Sequence, residues 1–146
     1  MSERSIGKQI TSIARSLSRY LDNRTSHLHL SSATIPFLTY LYEHNGVHQD
    51  EMARNLQFDK SSATRAIKTL EQRGYVSREI DKTNRRKNVV SVTRLGFSIK
   101  EELYAILRHT TTQIFQDFSA NEKDAYFRYT DKVNENITQM INEQKQ

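Results

Sequence analysis

Between residues 59 and 94 the chain sets out an order of elements that few folds accommodate. Asp59 stands where a helix N-cap is expected, KSSATRAIKTLEQR follows, and Gly74 supplies the stop. Two strand-like runs then flank a polar loop, with YVSREI before DKTNRRKN and VVSVTR after it. Tyr75–Ile80 and Val89–Thr93 therefore predict an antiparallel hairpin. Its loop, residues 81–88, packs four cations into eight residues. A turn alone would be served by Asp81, Asn84 and Asn88. The cations need a further reason.

The stretch upstream supplies it. Ser31 or Ser32 is placed to cap a helix carrying Ile35, Phe37, Leu38 and Leu41, and Pro36 is tolerable because it falls near that helix's start. Asn45-Gly46 stops it. HQDEMARNL (48–56) predicts a short third helix with Met52, Ala53 and Leu56 inward. In the fourth helix Ala63, Ala66, Ile67 and Leu70 face one way, which leaves Lys60, Ser61, Ser62, Thr64, Arg65 and Lys68 on or near the other face. Helix, tight connection, helix with a small and basic outer face, then a hairpin with a basic tip: this order predicts a winged helix-turn-helix over residues 31–94. The major groove of B-DNA is about 12 Å wide and admits one α-helix. A hairpin beside that helix reaches the adjacent minor groove, where arginine is favoured. Asn84, Arg85, Arg86 and Lys87 are then the candidate wing contacts.

Charge distribution supports a polyanionic partner. Of 22 Lys and Arg against 17 Asp and Glu in the whole chain, residues 59–100 hold eleven cations and four acids, a local net of +7. The remainder nets −2, so one segment carries the whole positive excess. Cysteine is absent, which excludes disulfides, thiolate catalysis and Cys-ligated zinc. No run is long and apolar enough for a membrane span and the N-terminus lacks the core of a signal peptide, so a cytoplasmic location is expected. With no phosphate-cradling glycine loop and no legible Ser/His/acid arrangement, an enzyme is not expected, nor is a cofactor.

The ends of the chain carry apolar stripes. Ile6, Ile10, Ile13, Leu17 and Leu21 recur at helical steps, and a long helix resumes at Leu95 with Ile99, Leu103, Ile106, Ile114 and Phe118. Ser119 with Glu122 forms a capping-box pattern that opens a last helix with Tyr126, Tyr129, Val133, Ile137 and Met140 on one stripe. These two end regions, 1–30 and 95–146, would leave apolar surface uncovered in a monomer and predict a two-fold dimer. The fold class is mainly α, with a small hairpin wing and a terminal-helix dimerisation region.

LSSATIPFLTYL, HQDEMARNL, FDKSSATRAIKTLEQRGYVSR and the wing ending VSVTRLG make the chain resemble the MarR family of bacterial transcription regulators, over nearly its whole length. Asp59 to Arg78 is the most specific part. The resemblance implies a homodimer whose first and last helices intertwine. It also implies a repressor that binds pseudo-palindromic double-stranded DNA through two winged lobes and is relieved by a small-molecule effector. Such effectors lodge between the dimer helices and the lobe. The lack of cysteine rules out the thiol-based redox sensing used by some relatives. Two positions depart from the family pattern. The wing reads Asn84-Arg85-Arg86 where an Asp-x-Arg is usual, and His48 opens the third helix in place of a hydroxyl residue.

Plainer readings stand beside these. Lys60, Arg65 and Lys68 alone could be a solvated helix face, and the wing alone a soluble turn; joined in this order they point to DNA. The fold by itself also suits a module that binds protein or RNA, with the wing docking on an acidic partner. Five histidines (27, 29, 44, 48 and 109) raise a zinc-responsive regulator, but none sit at ligand spacing within one helix. They read as structural or surface histidines, and no metal site is assigned. Phe37, Tyr20, Tyr40, Tyr42 and Phe115 read as core residues.

Overall fold

The computed structural model describes residues 3–146, which form seven α-helices and three short strands. In chain order these are α1 (Ile6–Thr25), α2 (Ile35–Glu43), β1 (Val47–His48), α3 (Gln49–Asn55), α4 (Lys60–Gln72), β2 (Val76–Ile80), β3 (Asn88–Val92), α5 (Arg94–Ser98), α6 (Lys100–Ile114) and α7 (Ala120–Gln144). The fold is mainly helical with one antiparallel sheet of strand order β1-β3-β2. The chain divides into two compact units, one ending at Ile106 and one covering Leu107–Gln146.

The first unit builds its core from side chains of nearly every element. Phe37, Leu38 and Leu41 of α2, Met52 of α3, Ile67 and Leu70 of α4, Val90 of β3 and Leu103 of α6 are fully buried. Phe37 packs on Phe58 with ring centroids 4.8 Å apart. Truncating so central a residue to alanine costs about 3–5 kcal/mol. Of the five aromatics read as core, Phe37 alone is fully buried; the others are partly exposed.

α4 starts and stops as its sequence predicts. The Asp59 carboxylate accepts the Ser62 amide at 2.9 Å, and Ala63, Ala66, Ile67 and Leu70 turn inward. At its end Gly74 takes φ +79°, a left-handed position that glycine adopts without strain. There the Gly74 amide donates to Glu71 O and the Tyr75 amide to Leu70 O, which satisfies two otherwise orphaned carbonyls. The Tyr75 hydroxyl then donates to Leu28 O at 2.7 Å in the interior, tying the start of the hairpin to the turn after α1.

Several local expectations are corrected. A helix beginning at His48 is replaced by β1, a third strand in which Val47 pairs with Val90 and His48 with Val89. α3 begins one residue later, at Gln49. Neither Ser31 nor Ser32 caps α2; Thr34 occupies the N-cap position without a side-chain bond to the helix, its hydroxyl accepting the Ser31 amide instead. The long helix expected from Leu95 is broken at Ile99 into α5 and α6. The break follows a tight junction: Thr93 caps α5 by accepting the Gly96 amide, and a Cβ on Gly96 would collide with the Tyr75 carbonyl. Leu95, Ile114 and Phe118, read as stripe members, are about half exposed.

The second unit rests on its turn. Asp117 takes φ +68°, and Ser119 and Glu122 form the predicted capping box at the start of α7. Phe115 sits among Phe118, Tyr126 and Phe127 with ring centroids 5.2–5.5 Å away. No residue of α7 is buried. Among the described residues, no helix is long and apolar enough to cross a membrane.

Candidate nucleic-acid interface

α4 offers its polar face to solvent. Lys60, Ser61, Thr64, Arg65 and Lys68 are exposed, while Ser62 is partly covered. Ser62 is also committed: its hydroxyl donates to Asp59 Oδ1 at 2.6 Å and accepts from Arg65 Nη2 at 3.2 Å. The hydrogen bonds from Ser62 hold the Asp59 carboxyl below the usual carboxylate range. Asp59, Ser62 and Arg65 thus form a relay along the first turns of α4, and the last member is a guanidinium with donors to spare. Thr64 is held differently, donating to Lys60 O at 2.8 Å and accepting from Gln49 Nε2 at 3.1 Å. That bond pins the first turn of α3 to the exposed face of α4. Gln49 escaped the sequence reading because a glutamine at a helix start carries no periodic signal.

The hairpin pairs Val76 with Val92 through to Ile80 with Asn88, and its loop is closed by its own backbone. The Asp81 amide donates to Lys87 O at 2.9 Å, Asn84 N to Asp81 O at 3.2 Å, and Lys87 N to Asn84 O at 3.0 Å. The Asp81 carboxylate accepts both the amide and the hydroxyl of Thr83, an Asx-type turn. Asn84 accepts the Arg86 amide at 3.2 Å, so its side chain orders the backbone beneath the arginine and not the guanidinium itself. Lys82, Asn84, Arg85 and Arg86 are exposed and Lys87 is partly so. Among the described residues none of these cations enters an ion pair; the arginine that does is Arg78, on β2, with Glu71 at 3.2 Å. The wing cations therefore point into solvent with their charge uncompensated.

His48 departs from the expected role of a poor helix cap. Its ring makes no bond to α3 and instead donates from Nε2 to Asp81 Oδ2 at 2.7 Å. The other histidines are dispersed: His27 meets Glu102 at 2.9 Å, His44 stacks on Tyr40, and His29 takes a left-handed backbone. Among the described residues no group of three or more His, Cys, Asp or Glu is placed to hold a metal ion.

The helix-turn-helix frame that carries these two short basic surfaces has counterparts among known proteins. Residues 28–87 match the MarR family model. The crystal structure of MarR superposes with a TM-score of 0.84 at 26% identity, over 98% of this chain and 97% of that one. Residues 28–87 are thus similar to the MarR family, and the fold of the chain is similar to that of MarR. The chain is also 28% identical over 134 residues to the uncharacterized HTH-type transcriptional regulator YybA of Bacillus subtilis (strain 168), covering 89% of this chain and 87% of that protein. A Listeria monocytogenes protein solved with 26mer DNA shares the fold at a TM-score of 0.83 and 24% identity, over 92% of this chain and 90% of that one. The chain thus shares the winged-helix fold of proteins described as transcription regulators.

Proposed function

We infer that this chain is a MarR-family transcription repressor that binds a pseudo-palindromic operator as a homodimer, with α4 in the major groove and the 81–88 wing at the minor groove. The observation that carries this reading is the pair of basic surfaces in one compact unit: Lys60, Arg65 and Lys68 on α4, and Arg85, Arg86 and Lys87 on the wing. Ser61, Thr64 and Asn84 add neutral hydrogen-bonding groups among those cations. Proteins of the same fold solved with DNA, from Listeria monocytogenes and as the S. aureus MepR complex, support the reading. Residues 31–94 are the DNA-binding lobe in this reading, and 1–30 with 95–146 the dimerisation region.

Exposed apolar surface supports the dimer. Ile6 is 57% exposed, Ile13 51%, Tyr129 59% and Met140 62%. Stripes like these on α1 and α7 need a partner, and a second copy of the chain supplies a matching pair through a two-fold axis. A small-molecule effector would act by favouring a dimer whose two α4 helices are wrongly spaced for the operator. Selecting bound sequences from a random duplex pool tests the reading: an enriched palindrome supports it, and an unenriched pool contradicts it.

A further inference from the structure

His48 belongs to two elements at once, ending β1 and preceding α3, yet its ring serves a third. Its Nε2 donates to Asp81 Oδ2 at 2.7 Å, joining segments 33 residues apart. Asp81 is the first residue of the wing loop, and its other oxygen and its amide already hold that loop closed through Thr83 and Lys87. The pair is sheltered, with the imidazole 33% and the carboxylate 17% exposed. His48 also stands in one cross-strand row with Val89 and Glu79, on one face of the sheet. Beside the β1–β3 pairing, the root of the wing is therefore tied to the start of α3 by a side-chain hydrogen bond whose donor can carry a charge.

We propose that His48 is a positioning residue for the wing, and that its protonation tightens the wing's hold on DNA. The proposal rests on the DNA-binding reading above. A neutral imidazole gives Asp81 an ordinary hydrogen bond; an imidazolium gives a shorter, stronger, charge-assisted one. It also leaves less of the Asp81 charge to repel a phosphate. Imidazole changes charge between about pH 5 and pH 8, within the range a cell visits. Asp81 stays ionised throughout, since the bond from His48 and those from Thr83 hold its carboxyl well below the usual range.

The surrounding charges set the sign. Asp81 and Glu79 favour the imidazolium, as do Asp50 and Glu51 in the first turn of α3. Against it stand the positive end of the short α3 dipole, Lys82, Arg85, Arg86 and Lys87 of the loop, and Lys60, Arg65 and Lys68 of α4, which reaches the start of α3 through Gln49 and Thr64. The loop and α4 cations are mostly solvated and screened, whereas Asp81 is in direct contact with the ring. Affinity for duplex DNA rises as pH falls through the histidine range.

The test uses the full chain and a fluorescent duplex recovered from a random-sequence pool, titrated at constant ionic strength from about pH 5.5 to about pH 8. The parent is expected to gain roughly two- to five-fold in affinity toward acid. His48→Gln keeps a donor but cannot charge, and is expected to hold the parent's alkaline affinity at every pH. His44→Gln, which removes a neighbouring histidine outside the pair, is expected to keep the parent's profile. Amide NMR gives a second readout without DNA: the Thr83 and Lys87 signals shift with pH in the parent and stay fixed in His48→Gln. A His48→Gln protein with the parent's pH profile, or with Thr83 and Lys87 still moving, overturns the proposal. A parent without duplex preference at any pH sinks the DNA reading instead, and the wing amides then decide the role of His48.

Discussion

Arg65 and Arg86 are both exposed cations, but they are supported in different ways. Arg65 leans on Ser62, which is itself held by Asp59. Arg86 is ordered only through its backbone, by the Asn84 side chain. In the proposed complex Arg65 reaches base edges or adjacent phosphates, whereas Arg86 senses groove width. Arg65→Ala is expected to weaken operator binding by about 1–3 kcal/mol and to relax specificity at a few positions of each half-site. Arg86→Ala is expected to weaken many sequences alike and flatten the salt dependence by roughly one unit of slope. Asn84→Asp would keep the bond to the Arg86 amide and offer a second, charged oxygen to the guanidinium, so tighter binding is expected; salt titrations on half-site panels check all three variants. The sequence placed these cations on exposed surfaces correctly, because charge and spacing are local properties. It did not reveal the commitment of Ser62 to Asp59 and Arg65, or of His48 to Asp81, since those depend on which rotamers and distant segments meet.

At the scale of elements, α4 depends on its cap and the sheet on a close approach. The Asp59 carboxyl is held below its usual range in the folded chain, so its contribution is present above the unfolded pKa and is lost as pH falls through the folded one. Thermal unfolding of the parent should therefore weaken from about pH 5 to pH 3, and Asp59→Ala should remove part of that fall while lowering Tm at neutral pH. Gly96→Ala would push a methyl group into the Tyr75 carbonyl and Val92, and a loss of about 1–3 kcal/mol in denaturant unfolding is expected. The helices with long apolar periods (α1, α4 and α7) and the hairpin were legible in the chain. β1 was not, because a two-residue strand has no period of its own and exists only through pairing with Val89 and Val90. The break at Ile99 was hidden for a related reason: Leu95, Ile99 and Leu103 keep helical spacing, while the tight junction at Gly96 is made by residues from other elements.

At the scale of the whole molecule, the proposed reading gives DNA binding to residues 31–94 and dimerisation to the two ends of the chain. Apolar surface on α1 and α7 calls for a second copy, and light scattering is expected to give twice the 17.1 kDa of one chain at micromolar concentration. Removing the residues after Asp131 should lose the dimer and, with it, operator affinity. The fold was readable from the order of elements and from the 59–78 segment, and the uncovered end stripes from their helical spacing; how far each side chain is exposed depends on packing that spacing does not describe. The central claim is that α4 and the wing together read a specific duplex. Its most direct test is competition at physiological salt between a duplex selected from a random pool and a scrambled duplex of the same length. The account predicts at least a roughly thousand-fold preference for the selected duplex. Equal affinity for the two would contradict it.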